Sequence, residues 1–191
     1  MAIVEAGGPE ALTMRKLAAE LGISATTIYW HVGGRDDVVA ALIERQSERL
    51  SDAAVTGTNP RERVASAARN VWTTALAHPN VTRLAYETGY SAKLELPLEI
   101  SLARELVAAG LDPTRTRDAL RGILYSIGGF LVMALRPPDA VPADRTSTAL
   151  WGSVDDPAIP ARTRDRITEP PDLDQLFERT MSALIDSILA R

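Results

Sequence analysis

The sequence predicts an all-α fold, and three observations carry that expectation. Apolar residues recur at three- and four-residue spacing along the chain. Serine, threonine, asparagine or aspartate caps precede most of those runs, two of them followed at once by proline. No stretch alternates apolar and polar residues between hairpin turns.

The elements follow in order. Thr13 precedes a short helix, Met14 to Leu21, stopped by Gly22, and Ser24 caps a second, Ala25 to Val32, stopped by Gly33-Gly34. A longer helix runs from Asp36 to about Leu50, with Val38, Val39, Leu42 and Ile43 on one face and Asp36 and Asp37 suiting the positive end of its dipole. Asn59-Pro60-Arg61-Glu62 is a cap, a proline at the first helical position and a glutamate at the third; the helix it opens ends at His78-Pro79. Helices over about Val81 to Tyr90 and Leu96 to Ala109 follow, then Asp112-Pro113 launches a long one to Leu135. Seven of the twelve prolines fall between Pro137 and Pro171, which predicts mostly loop there. Asp172 caps a last helix to the C-terminus, with Leu173, Phe177, Thr180, Leu184 and Ile188 as its apolar stripe.

Composition bounds the function. The 191 residues have room for a small head on a larger body, divided here into 1–50 and 51–191. With 46% hydrophobic and 24% charged residues the chain is ordinary globular material, not a disordered one. The lack of cysteine excludes disulfides, thiolate metal sites and cysteine nucleophiles. Two histidines, His31 and His78, leave little for a metal centre or a triad, so neither metal nor cofactor is expected. The longest uncharged run, Gly122 to Leu135, is fourteen residues, short of the roughly 20 that span a bilayer. The start of the chain does not read as a secretion signal. A cytoplasmic protein without a membrane partner is expected. A net charge of −4 argues against a whole-surface polyanion binder, although one favourable face is enough.

The most informative stretch is the head. Two helices of about eight residues joined by Gly22-Ile23-Ser24 have helix-turn-helix spacing. Leu17, Ala18, Leu21, Ile23, Ile28 and Val32 can form their shared core. Stepping 100° per residue from Ile28 leaves Thr26, Thr27, Tyr29 and Trp30 pointing away from it. That outward set carries no charge, two hydroxyls and two large aromatics. It suits a recognition helix, where hydroxyls and methyls meet base edges and a tyrosine reaches phosphate; a surface helix with an exposed aromatic pair would look the same.

Thr13 to Val38, reading TMRKLAAELGISATTIYWHVGGRDDV, resembles the DNA-binding head of the tetracycline-repressor (TetR) family over about Ala11 to Leu42. The turn glycine, the threonine–tyrosine–histidine trio and the basic residue after the second helix all fall at family spacing. The resemblance implies that Arg15 contacts a base or phosphate at the groove edge. Ala25, Thr26 and Thr27 would face bases, Tyr29 and His31 would touch phosphates, and Arg35 stands where the family usually has a phosphate-binding lysine. Thr13, Met14 and Trp30 complete the candidate contacts. The family's first helix is normally longer and preceded by basic residues, so a native start upstream of Met1 is an expectation. Residues 1–50 hold five basic and seven acidic groups, net −2, which implies modest non-specific DNA affinity.

In the body, Leu120 to Leu135 is apolar nearly all round and should be buried on every face. Gly122, Ser126 and Gly129 form a small-residue stripe. In the family the corresponding long helix and the last one pair with their symmetry mates, so these three residues with Phe177, Leu184 and Ile188 are the expected homodimer interface. Trp72, Leu76, Tyr86, Tyr90, Tyr125 and Met133 are the candidate wall of a ligand cavity, with plain core as the alternative for each. The resemblance implies a ligand-responsive transcriptional regulator, most often a repressor. It would bind palindromic operator DNA as a homodimer and be released by a largely apolar small-molecule effector. The rivals are an all-helical enzyme and a partner-binding module using the same cavity. The adjacent acidic pairs Asp36-Asp37 and Asp155-Asp156 lack any companion motif for catalysis.

Overall fold

The computed structural model describes residues 1–50, 53–136 and 142–190, and all regular structure among the described residues is helical. Helix α1 (Ala2–Gly7) and a 3₁₀ turn (Pro9–Ala11) lead into α2 (Met14–Leu21), α3 (Ala25–His31) and α4 (Arg35–Leu50). The body holds α5 (Pro60–Ala77), α6 (Pro79–Glu87), α7 (Ser91–Ala108), α8 (Pro113–Ala134) and α11 (Leu173–Leu189). Between the last two lie a 3₁₀ turn (Ala143–Arg145) and the short helices α9 (Ser147–Trp151) and α10 (Ala161–Ile167).

Each cap read from the sequence accepts the backbone N–H three residues on: Thr13 from Lys16, Ser24 from Thr27, Asn59 from Glu62, Asp112 from Arg115 and Asp172 from Gln175. Helix α6 ends three residues before the expected Tyr90, and two larger differences have identifiable causes. The expected loop from Pro137 to Pro171 contains α9 and α10, short enough to fit between its prolines; positions 137–141 lie outside the described residues. Helix α7 begins five residues before Leu96 and keeps Pro97 inside it. An interior proline strands the carbonyl four residues back. Here that carbonyl, on Lys93, accepts a 3.0 Å hydrogen bond from the Ser47 hydroxyl of α4, so the helix runs on and is tied to its neighbour.

Helix α7 packs against α4, α5, α6 and α8, and α11 closes the bundle against α5 and α8. Its central contact is aromatic: Trp72 of α5 stacks on Phe177 of α11 at 4.7 Å, and Phe130 of α8 meets both edge-on. The Trp72 indole N–H donates to Asp174. Arg63 grips Glu105 with two 2.7 Å hydrogen bonds, and Arg61 pairs with Asp186, joining α5 to α7 and α11. The buried stripe of α11 is Phe177, Met181 and Ile185, rotated from the expected one: Thr180 is exposed, and Leu184 and Ile188 are half-buried.

Helix α8 also departs from expectation. Its Ala119, Ile123, Ile127 and Leu131 are buried, but Tyr125 and Val132 on the far side are each 73% exposed. Within one chain, a face of this apolar helix is bare.

Candidate nucleic-acid interface and interior cavity

Gly22 ends α2 in the left-handed conformation (φ 66°), turning the chain into α3 so that the two helices cross. Gly33 does the same after α3 (φ 105°), where a Cβ would collide with the Asp37 carboxylate that caps α4 through the Gly34 N–H. The shared core is smaller than the sequence suggests. Ala18 and Ile28 are buried, whereas Leu21, Ile23 and Val32 are exposed and border an open apolar groove of about 340 Å³. Helices of eight and seven residues bring one residue each to their crossing point and leave the others at its rim.

Of the set expected on the outward face of α3, Trp30 is 86% exposed, Tyr29 55% and Thr26 open to solvent, as is His31, whereas Thr27 is half-buried. Arg15 is exposed with no ion pair among the described residues. Others are engaged locally. The Thr27 hydroxyl shares a 2.8 Å hydrogen bond with Ser24, Thr13 serves as the cap of α2, and Ala25 and Met14 are half-buried. Arg35 is exposed but engaged as well. Its guanidinium turns back to donate to the carbonyls of Leu12 (3.0 Å) and Pro9 (3.3 Å), so it clasps the start of the head.

The head meets the body along α4, which packs on α7, and through the first turns, which pack on α6. Glu5 accepts from the Val81 N–H (3.2 Å) and stands 3.8 Å from His78, its carbonyl accepts from Asn80, and Arg83 lies 3.8 Å from Glu10. Helix α6 borders two spaces. One is a small, partly open cavity of about 20 Å³, room for one water-sized group. Gln46, His78, Thr82, Glu95 and Leu131 are among the residues that line it. The other is an open groove of about 500 Å³ between α6 and the end of α8, where Arg83, Tyr86, Met133 and Arg136 are found, again with Leu131. The groove is within the range of small-molecule sites; the cavity by itself is not.

Of the expected cavity wall, Tyr86 and Met133 border the groove. Trp72, Leu76, Tyr90 and Tyr125 border neither space. Trp72 is consumed by the aromatic core, Leu76 and Tyr90 pack partly buried against it, and Tyr125 points outward. Phe177, expected at a subunit interface, is 1% exposed inside the protomer. Gly122, Leu184 and Ile188 border a shallow crevice between α8 and α11, and Gly129 is open, with nothing within 4 Å of the position a Cβ would take.

Gln46 and Glu95 went unnoticed in the sequence. Gln46 follows Val39 and Ile43 and precedes Leu50 at helical spacing, so a polar residue in a core stripe was the available signal. Its Oε1 is the buried side-chain polar atom without a partner among the described residues. Glu95 accepts a 2.7 Å hydrogen bond from the Tyr86 hydroxyl. Burial lifts its carboxyl above the ordinary range, a lift that the Tyr86 hydrogen bond opposes and the neighbouring Glu99 reinforces. Burial, then the hydrogen bond to Glu95, likewise raises the Tyr86 hydroxyl.

Residues 1–42 match the family model of bacterial regulatory proteins, tetR family. That match covers the head through α3 and into α4. No curated protein matches it in sequence. Among solved structures, the TetR regulator SCO7222 from Streptomyces coelicolor is 20% identical, with 98% of this chain and 92% of that one aligned at a TM-score of 0.75. ActR of the same organism, solved with actinorhodin, is 22% identical over 98% and 91% at 0.68. A TetR variant from Acinetobacter baumannii AYE, solved with minocycline, is 19% identical over 97% and 89% at 0.61. Head and body together thus share the fold of these structures. Among the described residues, no helix is long and apolar enough to cross a membrane, and no group of three or more histidines and carboxylates is placed to hold a metal.

Proposed function

We propose that the chain is a cytoplasmic, non-enzymatic transcriptional regulator, a repressor that binds palindromic operator DNA as a homodimer and releases it when a largely apolar small molecule occupies the body. The observation that carries the reading is the solvent-facing, charge-free surface of α3, with Thr26, Tyr29 and Trp30 projecting beside the exposed Arg15, in a head that matches the tetR-family model. Uncharged hydroxyls and aromatics at that surface have a use against base edges and sugar–phosphate. Residues 1–50 act as the reading head and 51–191 as the ligand-binding and dimerising body.

The bare face of α8 supports the dimer. Gly122, Tyr125, Gly129 and Val132 follow one stripe, Ser126 flanks it, and Leu176 is exposed on the neighbouring α11. A two-fold axis along these helices would cover that surface with its own copy and present two heads to successive major grooves. Helix α6, held to the head by Glu5 and bordering both spaces in the body, and helix α4, which packs on α7, are the elements through which ligand occupancy reaches the DNA-binding surface. A ligand shifts the heads only by its differential affinity for the two arrangements. ActR and the Acinetobacter TetR variant, solved with actinorhodin and minocycline, support an effector role for the body.

The test is fluorescence anisotropy of the full chain with duplexes drawn from DNA flanking its own gene. The reading requires at least one duplex bound well above a scrambled control of equal length.

A further inference from the structure

The groove beside α6 and the bare face of α8 are neighbours on one helix. Gly128, Leu131, Val132 and Met133 of α8 line the 500 Å³ groove, opposite Arg83 and Tyr86 of α6. The bare face carries Tyr125, Gly129 and Val132. In steps of about 100° per residue around α8, Leu131, Gly128, Val132, Tyr125 and Gly129 follow one another in that order. The first three belong to the groove and the last two to the bare face, so the groove wall runs straight into that face. Val132, 73% exposed, is common to both.

The groove asks for no charge from an occupant. Arg83 and Glu87 face each other at 3.5 Å and neutralise one another, and the Tyr86 hydroxyl already donates to Glu95. Arg136 is exposed, so its charge stays in water. An uncharged, apolar molecule fits such walls. Within one protomer, however, the groove is walled by α6 and α8 alone and lies open at the edge that Val132 marks. Small-molecule sites bury about 70–90% of their ligand, and a ligand here would leave its outer side in water. The edge is built for close cover: nothing lies within 4 Å of the position a Cβ would take at Gly128 or Gly129, so another chain can approach the helix backbone there.

We propose that the groove is half of a shared effector site, completed by the second copy of this chain that covers the bare face of α8, with an uncharged apolar molecule held between α6, α8 and that copy. This rests on the reading of the chain as a dimeric, effector-responsive regulator. A ligand that touches both copies binds the dimer better than the monomer. Ligand binding and dimerisation therefore strengthen each other, and by the same factor.

The test uses the full chain and N-phenyl-1-naphthylamine, an uncharged apolar probe whose fluorescence rises when it leaves water. Saturating probe should lower the dimer dissociation constant, measured by sedimentation, by roughly 5- to 150-fold. Gly129→Glu changes the bare face and no residue of the groove, and its carboxylate does not repel an uncharged probe. It should be monomeric with unchanged helix content and bind the probe at least about tenfold more weakly. Gly128→Leu puts a side chain into the groove itself; it should stay dimeric and lose the probe by a similar factor, which locates the probe. If Gly129→Glu fails to fold, dilution of the parent decides instead, because probe affinity should fall in step with the fraction of dimer. Equal probe affinity in monomer and dimer, a dimer that the probe does not tighten, parent-like binding by Gly128→Leu, or no probe binding at all would each overturn the proposal. Sedimentation of the parent and anisotropy with flanking DNA are run on the same preparation without probe. A monomeric parent, or one without sequence-selective DNA binding, condemns the regulator reading and this inference with it. A dimer that binds DNA selectively but gives any of those probe results condemns this inference alone.

Discussion

Replacing Tyr29 with alanine separates recognition from stability. The Tyr29 side chain is 55% exposed and makes no hydrogen bond among the described residues, so truncating it removes little that holds the folded state. The cost to folding should lie within about 0.5 kcal/mol, as for surface positions without a special role. Bound to DNA, the same hydroxyl would donate to a phosphate, and removing such an interaction costs about 1–3 kcal/mol. At about 1.4 kcal/mol per factor of ten, that is a fall of about 5- to 150-fold in operator affinity. The neutral tyrosine releases no counterion, so the slope of log affinity against log salt should stay unchanged. Arg15→Ala, which removes an exposed cation, should flatten that slope by about 0.9 for each phosphate the guanidinium would neutralise. Anisotropy titrations at several salt concentrations, with a melting curve for each variant, measure all of this. Unchanged operator affinity in Tyr29→Ala, or a melting temperature lowered by many degrees, would refute the placement of Tyr29 at the DNA surface.

Other consequences follow from the body. Phe177→Ala empties the centre of the aromatic core and should cost about 3–5 kcal/mol, a drop of roughly 6–20 °C in Tm for a chain of this size; a small drop that deepens on dilution would return Phe177 to an interface. Glu95→Gln should be more stable than the parent at pH 7. The raised carboxyl keeps its proton to higher pH in the folded chain than in the unfolded one, so folding loses stability as pH rises above about 4.3; urea melts should show the difference closing below that pH, and a parent more stable at neutral pH would contradict the assignment. Gly129→Glu has open space for its side chain within one protomer, so it should leave the helix content intact while shifting sedimentation from dimer to monomer; an unchanged dimer would remove this face from the interface.

What could be read from the sequence was what local chemistry determines. Caps at Thr13, Ser24, Asn59, Asp112 and Asp172 act within four residues, and each was legible. The outward set of α3 was legible for the same reason, since one turn of helix sets the direction of Tyr29 and Trp30. Facing was harder. Helices α8 and α11 each have more than one apolar side, and periodicity alone does not say which side meets Trp72. Phe177 and Tyr125 therefore came out exchanged, the first buried and the second bare. Arg35 was read by its position after α3, but its partners, Leu12 and Pro9, are more than twenty residues away and are brought to it by the path of the first turns. Pro97 shifted the expected start of α7 because the Ser47 hydroxyl that satisfies the stranded carbonyl comes from another helix. Gln46 was passed over as one polar residue on a mostly polar helix, although its spacing from Ile43 and Leu50 puts it in the core stripe.

The central claim is that two copies of the α3 surface read one DNA site. Hydroxyl-radical footprinting of the full chain on the DNA flanking its own gene addresses it at single-nucleotide resolution. The account predicts two equivalent protected patches related by two-fold symmetry, centred about 10 base pairs or a multiple apart, and abolished together by Tyr29→Ala at a concentration that protects with the parent. Uniform weak protection without symmetry, or protection that persists in Tyr29→Ala, would contradict it.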